Sequence, residues 1–197
     1  MSDSIYGGHL DEMEALMKDI NEYINALNGR IYESTGMEPI EHCLSRIKSD
    51  ESMREKCRRL GLPENEESAL YEIHDAIGFR IVCAFLTDVY LVRDHLAKLP
   101  GGEVVQEKDY IKNAKPNGYR SLHMIIKYKG LFAEIQLRTV SMDTWASLEH
   151  HMRYKKNIGG NTKLIEKELK RCADELSSTD ISMQAIRDLI FEQNGEL

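Results

Sequence analysis

The sequence predicts a mixed domain of class α/β (α+β), a β-sheet flanked by helices, with a long helix toward each end. Three observations predict it. Both ends of the chain carry apolar residues at steps of three and four, the spacing of one helix face. The middle holds four short runs rich in β-formers, at 78–85, 104–111, 122–128 and 132–138. Pro100-Gly101-Gly102, Asn117-Gly118 and Lys129-Gly130 punctuate those runs as turns. Helices mixed with strands in this order call for one sheet domain.

In chain order, Leu10, Met13, Met17, Ile20, Ile24, Leu27 and Ile31 define an amphipathic helix over 9–32, with Gly29 and Gly36 flanking its end. A second helical piece is expected over 40–48, and a third over 51–60, stopped by Gly61. Pro63 and the acids Glu64, Glu66 and Glu67 mark a loop or helix start. A short helix leads through Leu70 and Ile73 to Asp75. The run 78–85 reads as a buried strand, and Thr87 or Asp88 can cap the helix that follows, to about 99. Strands 122–128 and 132–138 form a hairpin around Lys129-Gly130. A helix over 142–156 is broken by Gly159-Gly160. The last helix aligns Ile165, Leu169, Cys172, Leu176, Met183, Ile186 and Ile190, interrupted by Thr179. Each terminal helix thus bears a narrow heptad-like stripe, which packing within the chain or self-association would satisfy equally.

Composition bounds the function. The 197 residues can bury a real core, with 42% hydrophobic and 30% charged residues. No apolar run approaches the ~20 residues of a membrane span. The segment MSDSIYGGHLDEMEAL lacks a basic stretch followed by an apolar one, so no secretory leader is expected. Cys43, Cys57, Cys83 and Cys172 are widely spaced and form no CxxC, so reduced thiols and no zinc site are expected. The net charge of −7 disfavours non-specific nucleic-acid binding. Yet residues 42–60 carry six bases against three acids, and residues 108–129 carry six against one. Two basic patches in an acidic protein fit a small polyanion better than a DNA duplex.

One strand concentrates the chemistry. In EIQLRT, Ala133, Ile135 and Leu137 share one face, and Glu134, Gln136 and Arg138 share the other. An ordinary solvent-facing row would look the same. The neighbouring loop, however, carries Lys108, Lys112, Lys115 and Arg120 against the single acid Asp109. Cations beside a lone carboxylate suit polyphosphate chemistry, in which cations hold phosphates and the carboxylate binds a metal or activates a hydroxyl.

Five ordered blocks carry a resemblance. SRIKSDESMREK at 45–56, HDAIGFRI at 74–81, KDYIKNAKPNGYRSLH at 108–123, EIQLRT at 134–139 and MDTWASLEHHMRYK at 142–155 resemble the synthetase domain of the RelA/SpoT family. The likeness spans roughly residues 40–156. It implies a nucleotidyltransferase-like mixed sheet of about five strands over 37–157, with helical extensions at 1–36 and 158–197. It implies a stand-alone (p)ppGpp synthetase of the stringent response: a GTP diphosphokinase that moves pyrophosphate from ATP to the ribose 3′-hydroxyl of GTP or GDP. It further implies Mg2+ as cofactor, a homo-oligomer (a tetramer), a cytoplasmic setting, and neither membrane nor DNA as partner.

The resemblance also assigns roles, residue by residue. Asp75, a turn or cap acid by pattern alone, matches the Mg2+ position. Glu134 matches the acid that accepts the hydroxyl proton and can touch the metal. Lys48, Lys56 and Arg59, with Ser52 nearby, match contacts to the ATP phosphates; as a bare pattern they are a solvated helix surface. Arg46 and Arg80 match arginines that sandwich adenine, a role guanidinium stacking permits. Tyr119, by pattern a hairpin or core tyrosine, matches the residue that stacks on the acceptor guanine. Lys108, Lys112, Lys115, Asn117 and Arg120 then fall in the acceptor loop, and His123, Gln136 and Arg138 on the strand floor, although His123 could equally be a satisfied structural histidine. Glu149 and Lys155 match family positions without an assigned role. The chain departs from the pattern twice: it reads Asp-Ala-Ile-Gly where relatives read Asp-Ile-Ala-Gly, and Gln106 stands where long members carry arginine.

Two decoys are set aside. His74-Asp75 is followed at once by a strand, not by the all-helical scaffold of HD hydrolases. His150-His151 beside Glu149 lacks HExxH spacing. Two other functions stay in view: a RelA/SpoT-like toxin that pyrophosphorylates tRNA 3′ ends, and a non-catalytic nucleotide-binding oligomer.

Overall fold

The structure, a computed structural model, describes residues 4–154 and 162–194. The expected break at Gly159-Gly160 and the position of Lys155 lie outside these residues. Among the described residues no helix is long and apolar enough to cross a membrane.

Helix α1 (Leu10–Thr35) buries Met13, Leu16, Ile20, Ile24, Leu27 and Ile31, the stripe its spacing predicts. Gly36 ends it at φ 71°, donating its N–H to the Tyr32 carbonyl at 2.7 Å. Strand β1 (Ile40–Ile47) follows. This corrects the expected helix over 40–48. Ile40, Leu44 and Ile47 mimic helical spacing, but pairing decides: β1 runs antiparallel to β2 (Ile77–Cys83), from Ile40 opposite Cys83 to Ile47 opposite Ile77.

Helix α2 (Asp50–Leu60) starts at Ser49, whose hydroxyl accepts the Ser52 N–H, and stops at Gly61 with φ 70°. A single π-helical turn, Ser68–Glu72, occupies the expected short helix. Helix α3 (Leu86–Leu96) begins where the Asp88 carboxylate accepts the Phe85 N–H at 3.2 Å, so Asp88 rather than Thr87 caps it. Strand β3 (Gly102–Asp109) leads to the hairpin of β4 (Leu122–Tyr128) and β5 (Leu131–Thr139), turned by Lys129 (φ 50°) and Gly130 (φ 87°). Helices α4 (Val140–Tyr154) and α5 (Thr162–Asn194) close the chain.

The five strands form one mixed sheet in the order β1-β2-β5-β4-β3. Only β2 and β5 pair in parallel. Four of these strands are legible in the sequence, and β1 is not. One face carries Ile77, Phe79, Ile81, Leu122, Met124, Ile126, Ala133, Ile135 and Leu137, all buried in the core with the α1 stripe and with Val89, Val92 and Leu96 of α3. Burying each large side chain contributes about 1.5–3 kcal/mol relative to exposure. The opposite face stays polar and is bordered by α4.

Candidate active site

Laterally paired residues point to the same side of a sheet. On the polar face the register makes two rows. Arg46, Gly78, Glu134, Ile125 and Gln106 form the first; Leu44, Arg80, Gln136, His123 and Lys108 form the second. Arg138 stands one step further along β5, opposite Val82. Site residues expected from separate sequence blocks therefore meet on one surface drawn from all five strands.

Asp75 lies just ahead of β2, where the Lys48 N–H reaches the Ala76 carbonyl at 2.8 Å and extends the β1–β2 pairing. Lys48 Nζ donates to Asp75 Oδ2 at 3.1 Å, and Lys56 Nζ, from α2, donates to the same oxygen. Asp75 Oδ1 is buried with no hydrogen-bond partner.

Glu134 is held by a closed ring of side chains. Arg138 Nη2 donates to the Tyr119 hydroxyl at 2.9 Å and to Gln136 Oε1 at 2.8 Å. Gln136 Nε2 donates to Glu134 Oε2 at 2.8 Å. Tyr119 Oη and His123 Nε2 are 2.8 Å apart, and His123 Nδ1 is 3.3 Å from Glu134 Oε1. Because Tyr119 accepts from Arg138, its own proton goes to His123 Nε2, and the His123 Nδ1 proton goes to Glu134. Two relays thus run from one guanidinium to one carboxylate. Burial alone would raise the Glu134 pKa; the hydrogen bond from His123, the Gln136 amide and the Lys56 charge outweigh it and bring it to about 2.

The loop between β3 and β4 packs beside the ring. Lys115 Nζ sits 4.6 Å from the Tyr110 ring centre and 4.8 Å from that of Tyr119. Asn117 Oδ1 accepts the Tyr119 N–H at 3.2 Å, shaping the turn. Gly118, at φ 92°, touches α5: a Cβ there would lie 2.6 Å from that of Ala173. Arg120 braces the loop from behind, donating to the Ile111 carbonyl at 2.9 Å and standing 3.7 Å from Asp174 of α5. Lys112 is exposed, 3.5 Å from Asp109 and above the Tyr90 ring. Ser52 belongs to the α2 cap, and Arg59 is exposed in the last turn of that helix.

Three cavities open on this face. One of about 280 Å³ is lined by Leu44, Arg46, Lys48, Asp75, Arg80, Glu134 and Gln136, with others. A second, about 200 Å³, is lined by Gln106, Lys108, Tyr110, Lys115, His123, Ile125 and Glu134. A third, also about 200 Å³, shares Asp75 and Glu134 with the first and Gln106, Ile125 and Glu134 with the second, with Lys56 and His74 also in its wall. Ser52, Arg59, Lys112, Asn117, Tyr119, Arg120 and Arg138 line none of the three; Tyr119 borders the second through Lys115 and His123.

The family model described as the region found in RelA / SpoT proteins matches residues 45–159. The chain belongs to the RelA/SpoT family. It is 38% identical to GTP pyrophosphokinase YwaC of Bacillus subtilis over 191 residues, covering 93% of this chain and 87% of the relative. The solved structure of small alarmone synthetase 2 from B. subtilis superposes with a TM-score of 0.81 at 36% identity, covering 92% of this chain and 98% of that one. Small alarmone synthetase 1 from B. subtilis, bound to its product pppGpp, gives 0.80 at 30% identity, covering 90% and 94%.

The donor set in this RelA/SpoT chain fits a hard cation. Asp75 offers an unpartnered oxygen, and Glu134 is ionised with lone pairs left over. Among the described residues no three His, Cys, Asp or Glu side chains gather into a cage. Mg2+ needs only one or two carboxylates where substrate phosphates complete its shell. Two residues escaped the sequence reading. Tyr110, the second ring beneath Lys115, is hidden in a strand end. Asp143 pairs with Arg138 Nη1 at 3.0 Å and Arg80 Nη1 at 3.5 Å. An acid in the first turn of a helix has an ordinary explanation in the helix dipole, so nothing flagged it.

Proposed function

We infer that this protein transfers pyrophosphate from ATP to the 3′-hydroxyl of GTP or GDP, giving AMP and pppGpp or ppGpp. One observation carries the reading. Glu134 lines both the arginine-walled cavity and the tyrosine- and lysine-walled one, so a group bound in each would meet at its carboxylate. Family membership and the likeness to GTP pyrophosphokinase YwaC support the same activity.

In this reading the first cavity takes ATP, its base against Arg46 and Arg80. Lys48 and Lys56 face the phosphates. The second cavity takes the acceptor, its guanine against Tyr119 once Lys115 moves aside to meet phosphate. The acceptor 3′-oxygen attacks the β-phosphorus of ATP, the bond from that phosphorus to the α,β-bridging oxygen breaks, and AMP leaves with that oxygen. Glu134 takes the hydroxyl proton. A carboxyl held near 2 is a weak base, so its larger service is to orient the hydroxyl; a loose transition state asks little more. Asp75 and Glu134 would hold Mg2+, which neutralises phosphate charge when bound. Positioning and electrostatics carry most of the rate.

We further propose that the protein acts in the cytoplasm as a homo-oligomer, a tetramer by family resemblance. Ile181, Met183, Ile186, Leu189 and Ile190 of α5 are each about half exposed or more, an apolar row that a second copy would cover. A native mass that is a multiple of 22.7 kDa is expected; a clean monomer would end that proposal. For the activity, labelled ATP is incubated with GTP, GDP or tRNA and the products are separated. Label in pppGpp or ppGpp is the expected result. Label on tRNA alone would move the protein to the toxin reading, and no transfer at all would leave a nucleotide-binding oligomer.

A further inference from the structure

We propose that Asp143 is a positioning residue that ties the two nucleotide pockets together, holding Arg80 on the donor side and Arg138 on the acceptor side through one carboxylate. The inference rests on the reading of the two cavities given above. It adds a residue and a linkage that reading does not contain.

The argument starts from charge. Arg46, Arg80 and Arg138 crowd one end of the polar face. Burial pulls Arg80 below its ordinary pKa, and the charges of Arg138 and Arg46 add to this. Asp143 opposes both effects, and among the described residues it is the one carboxylate ion-paired with either Arg80 or Arg138. Arg138 is 4% exposed, so without that partner a buried cation would face another cation.

Geometry then gives the linkage. Asp143 Oδ1 accepts from Arg138 Nη1 at 3.0 Å and lies 3.5 Å from Arg80 Nη1. The other terminal nitrogen of Arg138 drives the relays to Tyr119 and Gln136, and through them to Glu134. Arg80 and Gln136 are paired across β2 and β5, and both line the donor cavity. The Asp143 carboxylate therefore fixes the donor-side guanidinium and the hydroxyl that orients the acceptor-side ring. It does so from the first turn of α4, which follows β5 without a loop, so strand and helix set its place together.

Asp143→Asn tests it. Transfer is measured with ATP and GTP each varied, and thermal unfolding is followed in parallel. The expected result is a rise in KM for both nucleotides of about tenfold, the order that losing one charge-assisted contact gives. Lys48→Ala, at a residue that lines the donor cavity and not the acceptor one, should raise KM for ATP and leave that for GTP within about twofold. Loss of folded protein, a purely structural effect, would lower the active fraction without moving either KM. Both KM values within twofold of the parent in a folded Asn variant would overturn the inference, as would a change confined to one nucleotide. If the Asn variant does not fold, Asp143→Glu carries the test: it keeps the charge and moves the carboxylate by one methylene. Both KM values should then rise, by about threefold, and unchanged values sink the proposal. A parent protein that makes no alarmone sinks the proposed function instead, whatever the variants do.

Discussion

Strand β5 shows two regions of this molecule side by side. Ala133, Ile135 and Leu137 point into the core and are fully buried. Glu134, Gln136 and Arg138 point the other way, into a ring of hydrogen bonds that serves no packing need. Alternation with a period of two separates the residues that hold the fold from those that build the hydrogen-bonded ring by one step along the chain. The polar face gathers like-charged guanidiniums and leaves Asp75 Oδ1 unpartnered, arrangements that cost stability. The apolar face, with α1 and α3 beneath it, supplies the stability that allows them.

The largest expected effect lies on the polar face. Glu134→Gln should cut transfer by about 10²–10⁴-fold, the usual contribution of a positioned acid or base. Tm should fall at neutral pH, because folding lowers the Glu134 pKa and the native state therefore favours the charge that glutamine removes, although the glutamine oxygen still accepts from His123; turnover is read on the folded fraction. Near-normal turnover would remove Glu134 from the chemistry. The neighbouring residue should do the reverse. Ile135→Ala is expected to cost about 2–5 kcal/mol of stability. Both KM values of the folded fraction should stay unchanged, as denaturant melts paired with kinetics would show. A third change divides the polar face itself. Tyr119→Ala removes a stacking surface worth about 1–3 kcal/mol per base, so KM for GTP should rise about 5–100-fold. KM for ATP should move much less, and equal rises would contradict the stacking role.

The contrast between the two faces of β5 was readable in six letters of sequence, because strand alternation needs no tertiary information. The terminal helices were readable as helices but not as interfaces. The α1 stripe and the α5 stripe follow the same spacing, yet Ile20 and Leu27 are fully buried while Ile186 and Ile190 are 50% and 54% exposed. What separates them is the sheet packed against α1, which periodicity cannot encode. Strand β1 was misread for a related reason. Leu44 is 57% exposed on an edge strand, in the row of Arg80 and Gln136 on the polar face, so its apolar spacing did not mark a helix face. Asp75, Glu134 and Tyr119 stood out through their motif blocks. The assembly of Glu134 and Tyr119 into a ring with His123, Gln136 and Arg138 depends on the β4–β5 register, and Asp143 depends on how α4 leaves β5. Neither is a property of a short motif.

The smallest effect probes where the division between faces fails. Thr139 ends the buried parity of β5, and its hydroxyl donates to the Asp180 carboxylate of α5 at 2.6 Å. A buried carboxylate therefore sits at the end of the apolar row. Burial raises the pKa of Asp180, and the bonds from Thr139 and Ser141 only partly offset it. With the folded pKa above the unfolded one, the protonated form favours the native state. That stabilisation is complete below the unfolded value near 3.8 and is lost as pH rises through the folded value. Once ionised, the buried carboxylate is thus a burden. Asp180→Asn keeps the shape and the acceptor oxygen for Thr139 while removing the charge. It should raise Tm by at most about 2–4 °C at pH 7, the shift that about 1 kcal/mol gives in a chain of this size. The gain should shrink as pH falls toward 4, as unfolding of both proteins across that range would show. A gain independent of pH, or a loss at neutral pH, would mean that the charge itself anchors α5 to the sheet, and the division between the faces would end before Thr139.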